Sequence, residues 1–168
     1  MEGDSYLFRK CIYVILIIIN FGLSKDKVAI LDFNYSSISH SKAEILTEYF
    51  AAALHNTNYF TMLERERIDD ILDEQGFQLS GCTTKECYVR AGKLLNVEKI
   101  IVGKIKKHGK NIIFSSRLID VTTGKIDQYE IVDGDYYDLK TKKVYELVNK
   151  LIDNRKVKRN TRSIKKTP

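Results

Sequence analysis

The chain is 168 residues long, is 43% hydrophobic and carries a formal net charge of +6 at pH 7. This length predicts one domain with a sizeable core and excludes several large domains. The charge is unevenly placed, because residues 25–152 hold nineteen residues of each sign, whereas residues 153–168 hold seven Lys or Arg and one Asp. The net charge therefore belongs to the C-terminal segment and not to the domain.

The first 24 residues have the three-part pattern of a secretory signal peptide. A basic pair precedes the apolar run 11–19, and the small residues Gly22 and Ser24 stand at positions −3 and −1 of a cut before Lys25. The apolar stretch would make ~20 Å of helix, whereas a bilayer core needs about 30 Å. We therefore predict a cleaved signal peptide at 1–24 and a periplasmic location. An uncleaved membrane anchor and a buried strand are the alternatives.

The mature chain opens with a strand, a helix and a second strand. Residues 27–33 are apolar without alternation, which is typical of a strand covered on both faces. The sequence SKAE at 41–44 has the spacing of a capping box and predicts a helix start. Residues 59–64 predict the second strand. The apolar stripe of the helix consists of Leu46, Tyr49, Phe50, Ala53 and Leu54.

A second helix follows, with Ile68, Ile71 and Leu72 on its apolar side. Gly76 is suited to the left-handed position just after a helix, and Phe77 beyond it can pack back on Leu72. This pattern predicts that the helix ends in a Schellman motif.

Cys82 and Cys87 flank the start of a third helix, whose apolar side also holds Ala91, Leu94 and Leu95. The capping-box spacing of Thr83 and Glu86 predicts Thr83 as the N-cap, so that the cysteines occupy N′ and N4, which touch in a hydrophobic staple. Cleavage of the signal would leave these two as the only cysteines in an oxidising compartment. We predict a disulfide. Free buried thiols, or a metal or redox site, are the alternatives, although neither zinc nor redox motifs favour C-x4-C.

Three strand-like runs, 98–107, 111–121 and 125–132, are separated by turns of hairpin length. The order β-α-β-α-α-β-β-β-α requires parallel pairing early and antiparallel pairing late. We therefore predict an α/β fold for residues 25–152, a mixed parallel and antiparallel sheet with helices on both faces. The last helix is expected to bury Val144, Leu147, Val148, Leu151 and Ile152.

Residues 153–168 have the composition of a basic disordered tail. Such a tail is either a solvated terminus or a site of electrostatic attachment to anionic lipid or cell-wall polymer. Nucleic acid is a poor partner for an exported protein. The basic residues of the tail are Arg155, Lys156, Lys158, Arg159, Arg162, Lys165 and Lys166.

Four stretches carry a family resemblance: VAILDF at 28–33, the block 63–87, AGKLLNVEKIIVGKI at 91–105 and LIDVTTGKI at 118–126. They resemble the periplasmic domain of the curli-assembly CsgG family, whose superfamily includes lipoprotein activators of penicillin-binding proteins. The resemblance spans roughly residues 27–152. It implies the same α/β sandwich and a non-enzymatic role in the cell envelope of a diderm bacterium. Unlike curli channel subunits, this chain has no lipid-attachment motif and only short hairpins.

No catalytic or metal-binding set is indicated by the sequence. The acidic cluster Asp69, Asp70, Asp73 and Glu74 spreads round the polar side of a helix. The stretch 133–138 resembles a calcium loop, but Val144 stands where a bidentate Glu is required, and Asp138 is instead predicted to cap the last helix. Nothing gathers the three histidines, which are His40, His55 and His108.

We therefore expect no enzyme, no cofactor and no metal. The predicted function is a non-enzymatic periplasmic interaction or assembly protein that binds another envelope protein. A subunit of an outer-membrane secretion or transport complex is the alternative, and a homo-oligomer is compatible with either.

Overall fold

The computed structural model describes residues 25–79 and 82–153. The predicted signal peptide, 1–24, and all the basic residues of the predicted tail lie outside the described residues. Within the part that the structure describes, no helix is both long and apolar enough to span a bilayer.

The described strands form one mixed sheet in the order β3-β1-β4-β5-β6. β1 is parallel to both β3 and β4, and β4, β5 and β6 are successively antiparallel. β2 is a short additional strand that continues beyond β1 and pairs in parallel with the distal half of β4. The strands are β1 Lys27–Ile30, β2 Asn34–Ser36, β3 Thr61–Met62, β4 Lys99–His108, β5 Asn111–Asp120 and β6 Ile126–Gly134.

Four helical segments join or follow these strands, in the predicted order. α1 is His40–Asn56, α2 is Arg65–Glu74 and α3 is Lys85–Leu94. The last helix, α4, begins with the turn Tyr136–Asp138, passes through a π-helical stretch at Leu139–Lys143 and continues to residue 153. The predicted α/β fold with a mixed sheet is confirmed, and β2 is the element that the sequence did not predict.

The sheet has a separate core on each face, because successive strand residues point to opposite sides. Ile101 and Ile105 of β4 contribute to the core under α1 and α4, whereas Ile100 contributes to the core under α2 and α3. The centre of the first core is aromatic. The rings of Phe33, Phe50 and Phe114 lie with their centroids 5.2–5.8 Å apart.

Apolar stripes were predicted better than helix starts. The predicted stripes of α1 and α4 face the first core. The predicted cap at Ser41 is wrong, because Ser39 already has extended backbone and its carbonyl accepts the amide of Ala43 at 3.1 Å. The predicted cap at Asp138 is also wrong. Asp135 caps α4, since its side chain accepts the amide of Asp138 at 2.8 Å.

The end of α2 agrees with the prediction. Gly76 has φ of +59°, which is the left-handed conformation that glycine adopts without a Cβ clash. The amide of Phe77 donates to the carbonyl of Leu72 at 2.8 Å, and the amide of Gly76 donates to the carbonyl of Asp73 at 2.9 Å. These two bonds constitute a Schellman motif.

Candidate functional site: a groove at the sheet edge

A groove opens along the β3 side of the sheet. The chain leaves β1 into α1 on one face, and it leaves the neighbouring β3 into α2 on the other face. Crevices outside the carboxyl ends of strands form where successive connections diverge in this way. We call this crevice the edge groove, and its volume is about 1190 Å³.

One wall of the edge groove is a single side of α1. The wall residues recur at helical spacing over about four turns, from His40 to His55, which makes a wall of ~22 Å. Its middle consists of Glu44, Thr47, Glu48 and Ala51. The groove floor is apolar and includes the buried side chains of Phe33 and Phe60.

The groove contains an open strand edge. β3 ends at Met62, and α2 begins at Arg65, so the chain turns away after one short strand. Among the described residues β2 pairs only with β4, which leaves the other side of β2 facing the groove. Tyr35 in the middle of β2 lines this space and is 47% exposed. Such an edge can accept an extended segment by adding it to the sheet.

An ion-pair cluster lies where β1 and β3 end. Arg65, the first residue of α2, donates to Asp32, and its Nε lies 3.4 Å from the Oδ2 of Asp69. Burial alone would lower the pKa of Arg65, but the hydrogen bond and charge of Asp32 and the charge of Asp69 raise it above its ordinary value. The cation is therefore compensated by two carboxylates.

The edge groove has an excess of acidic side chains. Its lining holds five carboxylates against one Lys and one Arg, with a histidine at each end of the α1 wall. The Oε2 of Glu44 lies 3.8 Å from the Nε2 of His40. Glu48 on α1 and Glu64 at the start of α2 have no ion-pair partner among the described residues, and both are exposed. Two uncompensated carboxylates thus line the groove from different elements.

The cysteine pair lies at the rim of the groove. The structure joins Cys82 and Cys87 by a disulfide with a Cα–Cα distance of 5.6 Å, and Cys82 lines the groove. The predicted cap at Thr83 is wrong by one residue, because the hydroxyl of Thr84 accepts the amide of Cys87 at 3.3 Å. Cys87 is therefore N3 and Cys82 is N″. Formation of the bond in the exported protein remains a prediction.

The other chemistry-bearing residues do not converge. Among the described residues, no three His, Cys, Asp or Glu side chains come together in a way that could hold a metal ion. His40 and His55 line opposite ends of the groove, and His108 ends β4. The acidic residues of α2 are exposed, as predicted, but Asp69 also pairs with Arg65 and lines the groove. Asp133 belongs to β6 and not to a loop.

The sequence did not predict this groove. Of the residues predicted for other roles, Lys25 of the signal cleavage site and Cys82 of the disulfide line the groove, and Cys87 adjoins it through the disulfide. Ser24 and the basic tail lie outside the described residues. Asp32, Glu64 and Arg65 were missed. The signal that could have found them is their position directly after two predicted parallel strands, where functional side chains of α/β folds gather.

The fold and the groove define the class of the protein: a three-layer α/β domain with a mixed sheet and a groove at its open edge. The chain belongs to the CsgG family. The family model described as "Curli production assembly/transport component CsgG" matches residues 18–116, more than half of the chain. The family resemblance predicted from the sequence is confirmed. No sequence among curated proteins matches the chain.

Solved structures share the fold at low sequence identity. The LpoB C-terminal domain from Escherichia coli is 14% identical with a TM-score of 0.57, over 68% of this chain and 85% of that chain. The LpoB C-terminal domain from Salmonella enterica gives 14% and 0.55, over 68% and 86%. Lipoprotein GNA1162 from Neisseria meningitidis gives 10% and 0.56, over 76% and 94%. These similarities establish the fold.

Proposed function

We propose that the chain is a non-enzymatic protein of the bacterial cell envelope that acts by binding another envelope protein in the edge groove. The observation that carries this proposal is the open side of β2 inside a groove of about 1190 Å³. An extended segment of a partner can pair with β2 through its backbone and place alternate side chains on the apolar floor. The signal-like start, the family membership and the lipoprotein neighbours support an envelope location.

A second candidate is a subunit of an outer-membrane secretion or transport complex. The family description, which names assembly and transport, favours it. Two observations speak against it. Side chains of β4, β5 and β6 that point into the domain core are buried under helices, and the turn between β4 and β5 has only two residues. Single-channel conductance in planar bilayers would decide, since a pore subunit must produce discrete current steps.

The binding proposal is tested by photocrosslinking in the cell that produces the protein. The full chain carries benzoylphenylalanine either at Ala51, inside the groove, or at Asn149, an exposed position on α4. We expect Ala51 to capture an envelope protein that Asn149 does not capture. A third version, with the crosslinker at Ala51 and the substitution Glu48→Lys, should lose most of the capture.

Two results would contradict the proposal: equal capture at both positions, or capture of cytosolic proteins alone. N-terminal sequencing of the same purified protein tests export separately. A mature chain that begins at Lys25 supports the cleaved signal, and an intact N-terminus on a membrane-bound chain supports the uncleaved anchor.

A further inference from the structure

We infer that the edge groove takes up the chain's own basic C-terminal segment, residues 154–168, as an extended strand beside β2. This inference rests on the proposed function, because the segment would occupy the site that the partner uses. A partner would then have to displace a competitor built into the chain. Charge, reach and chain direction each support this occupant.

The charges of the groove and of the segment are complementary. Residues 154–168 contain seven Lys or Arg and no Asp or Glu. The groove has more carboxylates than cations, and its Arg65 is already compensated by Asp32 and Asp69. Glu48 and Glu64 therefore remain to pair with incoming basic side chains, and because both are exposed this attraction is sensitive to salt.

The direction of α4 brings the segment to the end of the groove at which α1 ends, from where a parallel strand would run toward β2. Lys42 of α1 lies 5.3 Å from the ring centroid of Tyr136, and Lys140 lies 5.1 Å from the ring centroid of Tyr49. Lys42 precedes Tyr49 in α1, and their contact partners follow the same order in α4. The two helices therefore run in the same direction. α4 therefore ends at the side of the domain where α1 ends and where β1 and β3 begin.

The segment is long enough to reach the groove and fill part of it. Fifteen extended residues span at most about 50 Å. The α1 wall of the groove is ~22 Å long. About half of the segment can therefore cross the end of α1, and the remainder can lie along the wall.

The handedness of chain connections favours this edge over the open edge of β6. Parallel strand-helix-strand connections are right-handed in almost every protein. α1 connects β1 to β3 across one face of the sheet, and α4 leaves the parallel strand β6 on that same face. A parallel strand that follows α4 has the same handedness of connection as β1-α1-β3 only if it lies on the β3 side of β6. At the outer edge of β6 the connection would be left-handed.

The test uses the full exported chain with benzoylphenylalanine at Ala51, and a control with the crosslinker at Tyr129. Tyr129 lies on β6 at the opposite edge and is 53% exposed. A mixture of isotopically light and heavy copies distinguishes crosslinks within one chain from crosslinks between chains. After irradiation and digestion, mass spectrometry identifies the peptide joined to each position.

We expect Ala51 to be joined to residues 154–168 of the same copy, at least five-fold more often than Tyr129 is. The substitutions Glu48→Gln and Glu64→Gln together should reduce that yield several-fold without unfolding the protein, because both side chains are exposed. Salt at 1 M should also reduce it, since the Debye length falls to ~3 Å. Equal yields at both positions, no crosslink at Ala51, or crosslinks only between light and heavy copies would each overturn the inference.

The same variants separate this inference from the proposed function. Replacement of Arg155, Lys156, Lys158 and Arg159 by Gln should remove the internal crosslink and increase capture of the envelope partner at Ala51. Partner capture without an internal crosslink in the unmodified chain leaves the function standing and rejects the inference. An internal crosslink with no partner capture in any variant supports the inference and rejects the function.

Discussion

The substitution Lys99→Met tests the ion-pair cluster that joins the three antiparallel strands. The ammonium group of Lys99 on β4 donates to Asp120 on β5, and it lies 2.9 Å from the Oδ2 of Asp127 on β6. The side chain of Lys99 is only 7% exposed, and those of the two carboxylates are 22% and 25% exposed. Methionine preserves most of the packed volume and removes the charge, so the variant reports the electrostatic contribution.

The magnitude follows from the pKa of Asp120. Burial alone would raise that pKa, but the hydrogen bond from Lys99, two hydrogen bonds from Thr123 and the charge of Lys99 lower it from 3.8 to about 2. At about 1.4 kcal/mol per pKa unit this difference corresponds to roughly 2.5 kcal/mol, of which Thr123 supplies part. Screening by water reduces the contribution of Lys99 to the free energy of unfolding. In the Lys99→Met variant, however, the two carboxylates have lost their cation, which destabilises the folded state further. We expect Lys99→Met to lower the free energy of unfolding by about 2 kcal/mol at pH 7.

The pH dependence has a definite sign. Because the folded-state pKa of Asp120 lies below its unfolded-state value, the stabilisation is complete above pH 3.8 and is lost as the pH falls through about 2. The difference between the wild type and Lys99→Met should therefore shrink between pH 4 and pH 2. Urea unfolding followed by circular dichroism at several pH values measures it, with the exposed Lys104→Met on the same strand as control. A pH-independent difference, or one below 0.5 kcal/mol at pH 7, would refute the reasoning.

Replacing Cys82 and Cys87 together by Ser should lower the free energy of unfolding by about 2 kcal/mol, because a short loop is no longer closed in the unfolded chain. Two alkylated thiols in the exported protein, treated without reductant, would contradict the disulfide. Gly103→Ala should lower stability by about 1–3 kcal/mol in thermal unfolding, since a Cβ there would lie 2.5 Å from the carbonyl oxygen of Ser115 and 2.8 Å from the ring of Phe33. Deletion of residues 154–168 should leave the circular dichroism unchanged and weaken sedimentation with anionic vesicles, and that binding should fall steeply with salt. Binding that survives both changes would indicate an apolar anchor instead.

The elements were predictable because their apolar patterns are dictated by the burial of whole faces. Leu46, Phe50 and Leu54 recur at helical spacing and face one core in α1. A single cap contributes only about 1 kcal/mol, and neighbouring Ser, Thr or Asp residues compete for the same role. Thr84 caps α3 one residue after the predicted Thr83, whereas Ser39 precedes α1 two residues before the predicted Ser41 and makes no side-chain cap bond. Local spacing does not decide between such close alternatives, because the path of the preceding loop determines which residue has extended backbone.

The disulfide is present although the α3 cap is Thr84 and not Thr83, because the geometry that a disulfide requires is less strict than the geometry of a helix cap. A bridge needs Cα atoms about 4.4–6.8 Å apart, and several positions around a helix start meet that condition. Cys82 and Cys87 meet it at 5.6 Å as N″ and N3 instead of N′ and N4. The helix positions predicted for the two cysteines were therefore wrong by one residue, although the predicted pairing is the one in the structure.

The edge groove could not be predicted because it depends on where β3 stops. The sequence predicts a strand over residues 59–64, which is six residues long, whereas β3 has two. In the structure only Thr61–Met62 pairs with β1, since Glu64 is already the N-cap of α2 and Arg65 turns back to Asp32. That early turn directs α2 to the other face, and no other described strand pairs with the outer side of β2. The edge groove thus depends on the charged residues that end β3, and one of them, Glu64, also lines the groove.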